Sequence, residues 1–106
     1  MFVNSMSKGF VQLSRATAVG KKWKMTFYDK MRKKIKSVQF GQVGYEDFTT
    51  HGDLQRKQNY IQRHKSSENW NDPYSAGALS YHLLWSKPSL SGAYTAYRKR
   101  FIFELY

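Results

Sequence analysis

Apolar and polar residues alternate most regularly in KKWKMTFY (residues 21–28), where Trp23, Met25 and Phe27 interleave with Lys22, Lys24 and Thr26. A period of two marks a strand with one buried face, so this stretch predicts a strand whose outer face is basic. DKMRKK follows as a charged turn. KIKSVQFG then predicts a second strand, with Val38 and Phe40 on one face, that completes an antiparallel hairpin. Ile35 falls out of phase, which requires a bulge or a strand covered on both sides. GQVG ends the strand on two glycines. It matches the GXXG phosphate clamp of KH domains in letters only, because that clamp joins two helices.

Downstream the period lengthens. TTHGDLQRKQNYIQRHK (residues 49–65) reads as one helix, capped by Thr50 with Asp53 in capping-box position, and with Arg63, His64 and Lys65 at the negative end of its dipole. Leu54, Tyr60 and Ile61 give it a narrow apolar stripe, and the rest is polar. In ENWNDPYSAGALSYHLLW (residues 68–85), Asn71 or Asp72 can cap a helix that has Pro73 at its first position and runs to Trp85. Leu79, Leu83 and Leu84 supply its bulk, Ala76, Gly77, Ala78 and Ser80 a small-residue surface, and Trp70 and Trp85 its bracing. A last helix starts at Ser89 or Ser91 and shows Leu90, Tyr94, Tyr97 and Phe101 on one face. FIFELY closes as a short strand or an apolar anchor. Residues 1–20 hold no period and read as an extended arm that orders on a partner. Their acid-free, Arg- and Ser-bearing composition also fits a mitochondrial presequence. The expected fold is therefore α+β: a small single domain over residues 21–106, with an N-terminal two-stranded antiparallel hairpin packed on about three helices and preceded by the arm.

Length and charge sharpen this picture. A chain of 106 residues allows one domain, and its eight Tyr, seven Phe and three Trp mean that its core is built largely from rings. The net charge is +11, which favours polyanionic or acidic partners. That charge is uneven: ten Lys and Arg oppose only Asp29 up to residue 44, whereas eight oppose six acids beyond it. There is no cysteine, which excludes disulfides and thiolate metal sites, and no apolar run of the roughly 18 residues a membrane-spanning helix needs.

Catalytic constellations are absent from the pattern. His51 with Asp53 and His64 can be drawn as a metal set, but no HExxH or other known spacing supports it. Of the acids Glu46, Asp47, Asp53, Glu68 and Asp72, two serve as caps and Asp47 and Glu68 lie in turns rich in positive neighbours, with no sign of the burial a catalytic carboxylate needs, and no GxSxG occurs. No catalytic, metal-binding or cofactor-binding residue is assigned, and the chain reads as non-enzymatic. The candidate partner contacts are Lys22, Lys24, Lys30, Arg32, Lys33, Lys34 and Lys36 on the hairpin, with Arg56, Lys57, Arg63 and Lys65 on the polar helix. Trp23, Phe27, Phe40, Trp70, Asp72, Pro73, Trp85, Tyr94 and Tyr97 are expected to be structural. If Trp23 and Phe27 point outward, the hairpin has the cation-plus-ring surface of a single-strand binder; if inward, its lysines form a solvated face.

Taken together, FGQVGYEDFTTHGDLQRKQNYIQRH, ENWNDPYSAGALSYHLLW and KPSL resemble a family of small basic proteins encoded by large double-stranded DNA viruses of eukaryotes. The resemblance spans about Lys22 to Phe101. It implies a viral origin, and the small basic size is similar to that of minor capsid proteins, which lie under or between the capsomers of the major capsid protein. The expectation is a structural virion component that bridges or cements capsomers and is assembled in the host cytoplasm. Its partners would be other capsid proteins, with weak contact to nucleic acid. The alternative is a non-enzymatic nucleic-acid-binding accessory protein that uses the basic hairpin. The resemblance brings no catalytic residues with it.

Overall fold

The computed structural model describes residues 6–106. Gly9–Arg15 (β1), Lys21–Tyr28 (β2) and Lys34–Gln42 (β3) form an antiparallel meander, and Phe103–Leu105 (β4) joins the free side of β1 in parallel. The strand order is β3-β2-β1-β4. Between β3 and β4 run Phe48–His51 (α1), Leu54–His64 (α2), Ala76–Ser80 (α3), a π-helical turn at Tyr81–Trp85, and Leu90–Phe101 (α4).

The fold is α+β as expected, but its sheet is larger than a hairpin. The expected arm over residues 1–20 is corrected for Gly9–Arg15, which is an inner strand paired on both sides; residues 1–5 lie outside the described residues. Phe10 and Val11 are adjacent and both buried. Val11 faces the helices, whereas Phe10 faces the other side, edge-on to Tyr106 and under the Arg32 guanidinium. A strand covered on both faces at its start shows no alternation.

One face of the sheet is dry. Val11, Met25, Phe27, Phe40 and Phe103 pack against Leu79, Leu83, Leu84, Tyr97 and Phe101. Trp23 and Val38 flank this core, half-buried. The predicted alternation in β2 therefore holds, with Trp23, Met25 and Phe27 on the helix side. The bulge at Ile35 is present: Phe27 pairs with Lys36 and Tyr28 with Lys34, leaving Ile35 as the extra residue. No helix covers the other face, which carries Gln12, Ser14, Lys24, Ser37 and Gln39; Gln39 accepts from the Thr17 and Ala18 amides and fastens the β1–β2 loop.

The helices are shorter and more numerous than the apolar periods suggest. The helix expected over residues 49–65 is two. Asp47, not Thr50, caps α1, with Thr50 answering as the reciprocal partner of the capping box. Gly52 then takes a left-handed conformation (φ 63°), and Asp53 starts α2 by accepting from the Gln55 and Arg56 amides. The helix expected from Pro73 begins three residues later, because Ser75 is the cap. Asp72 accepts from the Tyr74 amide in a local turn, a conformation that competes with helix initiation. Pro73 serves differently: its buried carbonyl accepts a 2.7 Å hydrogen bond from the Tyr97 hydroxyl. Ser89 caps α4, and the closing FIFELY supplies β4.

Gly9 is where this architecture is least tolerant. Its φ is 130°, and a Cβ there would lie 2.1 Å from the Tyr28 carbonyl oxygen, a backbone atom that cannot move without breaking the β1–β2 ladder. Gly9→Ala is expected to lower unfolding stability by on the order of 3 kcal/mol or more. Gly52→Ala, where the site is open, should cost only about 1 kcal/mol. Urea denaturation followed by circular dichroism separates the two, and equal, small losses would refute the inner-strand placement of Gly9.

Candidate functional site

A column of rings ties α2 to the body of the protein. Tyr60, the buried residue of α2, stacks on Trp85 at 4.4 Å between centroids and on His64 at 4.3 Å. His51 closes the other side of Trp85 at 5.4 Å. Trp70 stacks on Tyr81 at 4.0 Å. Glu68 joins the two groups: one carboxylate oxygen is 3.2 Å from His64 Nδ1, and the other accepts from Trp70 Nε1 at 2.9 Å. The small-residue surface predicted for residues 76–80 receives this carboxylate, since a Cβ at Gly77 would be 2.9 Å from the Glu68 carboxyl carbon.

Beside the column lies an open groove of about 650 Å³, walled by α2 on one side and by the end of β3 and α3 on the other. Its lining mixes charges: Lys21, Lys22, Arg56 and Arg63 against Glu46, Asp47 and Glu68. Most of these groups already have partners. Lys22 Nζ donates to Asp47 at 2.8 Å and to the Tyr45 carbonyl. Asp47 is buried and also holds the Thr49 amide, which compensates its charge. Arg56 pairs with Glu46 at 3.4 Å in solvent, a contact contributing little.

The expected partner contacts thus divide. Lys22 and Lys57 are internal struts; Lys57 donates to the Ser86 carbonyl and lies over the Phe48 ring. Arg32 lies over Phe10 and Tyr106, and Lys36 reaches the Tyr74 ring. Lys30, Lys33 and Lys34 are exposed in the β2–β3 turn region, Lys24 sits half-exposed on the uncovered face, and Arg63 and Lys65 are exposed at the end of α2. Of the residues expected to be structural, Phe27, Phe40 and Tyr97 are in the core, while Trp23, Trp85 and Tyr94 pack against it. Trp70 belongs to the ring groups.

Six of the seven acids have structural tasks: Asp29, Asp47, Asp53 and Asp72 hold backbone amides, Glu68 joins the rings, and Glu46 pairs with Arg56. His51 accepts from the Asp53 amide and stands at one end of the ring column, with His64 at the other. Among the described residues no three His, Asp or Glu side chains are grouped as metal ligands, and no helix is long and apolar enough to cross a membrane.

Burial dominates the titration of several rings. Desolvation pushes the Tyr60 and Tyr97 hydroxyls far up, with Glu68 adding to the effect at Tyr60 and Tyr74 at Tyr97. His82 shifts down, first by burial and then by the Arg100 charge, against an opposing 2.7 Å hydrogen bond to the Trp70 carbonyl.

Sequence reasoning missed three contributors. Lys8 donates to the Phe101 carbonyl at 2.9 Å and so caps α4 from the start of the chain. Arg100 donates to Asn71 at 2.6 Å. Glu68 links the rings. The first two are contacts across long sequence separations that no local pattern signals, whereas Glu68 four residues after His64 was a readable helical-spacing pair.

A sequence model for a family of unknown function (DUF5754) matches residues 11–64, a segment holding most of β1 and all of β2, β3, α1 and α2. No curated protein and no solved structure matches the chain.

The His82 shift sets a pH dependence. In the unfolded chain its imidazole titrates near 6.5, and in the fold it titrates lower, so the unfolded state binds more protons on acidification. The stability His82 supplies is fully present above the unfolded value and is lost as pH falls through it towards the folded one. The urea midpoint should fall between about pH 8 and pH 5 more steeply for the native protein than for His82→Gln, which keeps a donor for the Trp70 carbonyl. Parallel profiles would refute the assignment.

Proposed function

The chain belongs to the DUF5754 family of unknown function, and from that premise we propose that it is a non-enzymatic structural component of a virus particle, a minor capsid protein that bridges or cements capsomers. Two things support the reading. One is the resemblance of residues 40–64 and 68–85 to small basic proteins of large DNA viruses. The other, which carries it, is the placement of cations at opposite ends of one stiff element. Lys33 and Lys34 lie at the turn end of the β2–β3 hairpin, whereas the exposed Lys21, where the hairpin begins, and Arg63 border the groove at its other end, beside the Arg56–Glu46 pair. β2 is eight residues long, so the two groups are roughly 25 Å apart. A rigid strut with a basic group at each end can hold two acidic surfaces at once.

Catalysis has no part in this role, because the acids are occupied as caps and pairs. Other capsid proteins are the main partners, within a virion assembled in the host cytoplasm. A nucleic-acid accessory role would draw on rings on the basic face. Phe27 and Trp23 instead turn to the core side of β2, so contact with nucleic acid would be electrostatic and weak.

Particles of the encoding virus, treated with nuclease and washed, provide the test. The chain is expected to stay with the shell after the genome is removed. Replacing either cation pair, Lys33→Gln with Lys34→Gln or Lys21→Gln with Arg63→Gln, should weaken retention by about five- to tenfold. Release together with the genome, or turnover of a small molecule by the purified chain, would overturn the proposal.

A further inference from the structure

The β2–β3 turn has an apolar feature that charge alone leaves unused. Met31 is 88% exposed and Ile35 is 53% exposed, both at the distal end of the hairpin. The segment from Lys30 to Lys36 holds five cations and no acid. The adjacent carboxylate, Asp29, is turned into the loop, where it accepts from the Met31 and Lys33 amides at 2.9 Å each. The loop is also fixed. Asp29 N donates to the Lys33 carbonyl at 2.8 Å, and Arg32, at φ 65°, lies back over the Phe10 ring at 4.5 Å. Lys33 and Lys34 have no side-chain partner among the described residues.

A fixed turn that carries two exposed aliphatic side chains among the cations of one short segment has a specific complement. Nucleic acid satisfies the cations but offers nothing apolar to Met31 and Ile35 at a backbone-tracking contact. An anionic bilayer satisfies both, since its headgroups attract lysines and its acyl boundary admits short apolar chains. We propose that the β2–β3 turn docks on an anionic lipid surface, with Met31 and Ile35 entering the headgroup boundary and Lys33 and Lys34 meeting the lipid phosphates and carboxylates. This deepens the bridging role above by naming the partner of one basic end, and rests on it.

The full chain is tested by co-sedimentation with vesicles of phosphatidylcholine alone and of phosphatidylcholine mixed with phosphatidylserine. Binding is expected only to the mixed vesicles. Met31→Ser with Ile35→Ser leaves the charge unchanged and should weaken that binding by roughly tenfold or more, without changing retention on a single-stranded oligonucleotide. Lys33→Gln with Lys34→Gln should weaken both. Met31→Trp, after subtraction of the emission of the native protein with its three tryptophans, should show an added component that is blue-shifted on mixed vesicles. Full binding by the serine variant means that the turn acts by charge alone: the lipid proposal then falls while the bridging reading stands. No binding to mixed vesicles, or an unshifted tryptophan, also overturns it.

Discussion

Parallel pairing of β1 with β4 is the constraint on which the rest of the structure depends. Antiparallel neighbours can be joined by a short turn, whereas parallel ones need a crossover. Here nearly the whole chain is that crossover, running from β1 out to β3, through the helices and back to the opposite side of β1. The first and last described elements therefore hold one another. Lys8 N donates to the Ile102 carbonyl and Tyr106 N to the Val11 carbonyl, at 2.9 and 3.0 Å. Ile102 leaves α4 in a left-handed conformation, and that turn returns the chain so that Phe103 enters the core beside Tyr97 and Phe101.

A small domain that buries rings on this scale must still satisfy their polar tips. Tyr97 does so through the Pro73 carbonyl and Trp70 through Glu68. Each bond fixes a loop that lacks regular structure of its own. The π-helical turn belongs to the same economy of space: its first and last residues, Tyr81 and Trp85, are the ones that stack on Trp70 and Tyr60. α2, otherwise polar, is held to the body mainly through the Tyr60 ring.

How much of this was legible depended on whether the deciding interaction was local. The β2 alternation and the α4 face could be read, and the Ile35 irregularity and the α4 cap were each narrowed to two alternatives, because each rests on residues within a few positions of one another. β1 could not, since Phe10 and Val11 are buried on opposite faces by partners from the far end of the chain. The break at Gly52 was visible as a glycine, yet a helical period on both sides of it favoured one helix over two. At Pro73 the residue types of a helix start were present, but the Asp72 turn and the bond from Tyr97 gave them another use. For the candidate site, charge pattern located the exposed cations of the hairpin and of α2. It could not tell those from Lys22 and Lys57, whose partners Asp47 and Ser86 lie far along the chain.

The arrangement of charge follows from the same accounting of groups. A carboxylate that accepts backbone amides in a cap or turn cannot also move out to neutralise distant lysines; Asp47 pairs only with Lys22, which lies beside it. With most of the acids committed in this way, a chain of net charge +11 keeps a positive field that its own side chains do not cancel. Self-repulsion would then weigh against folding if the cations were crowded together. Holding one group at the hairpin turn and another beside α2 separates them by roughly three Debye lengths at physiological salt, so each group is nearly invisible to the other. The hairpin that orders the core thus also keeps the two basic ends apart, which makes an unneutralised surface compatible with a small core.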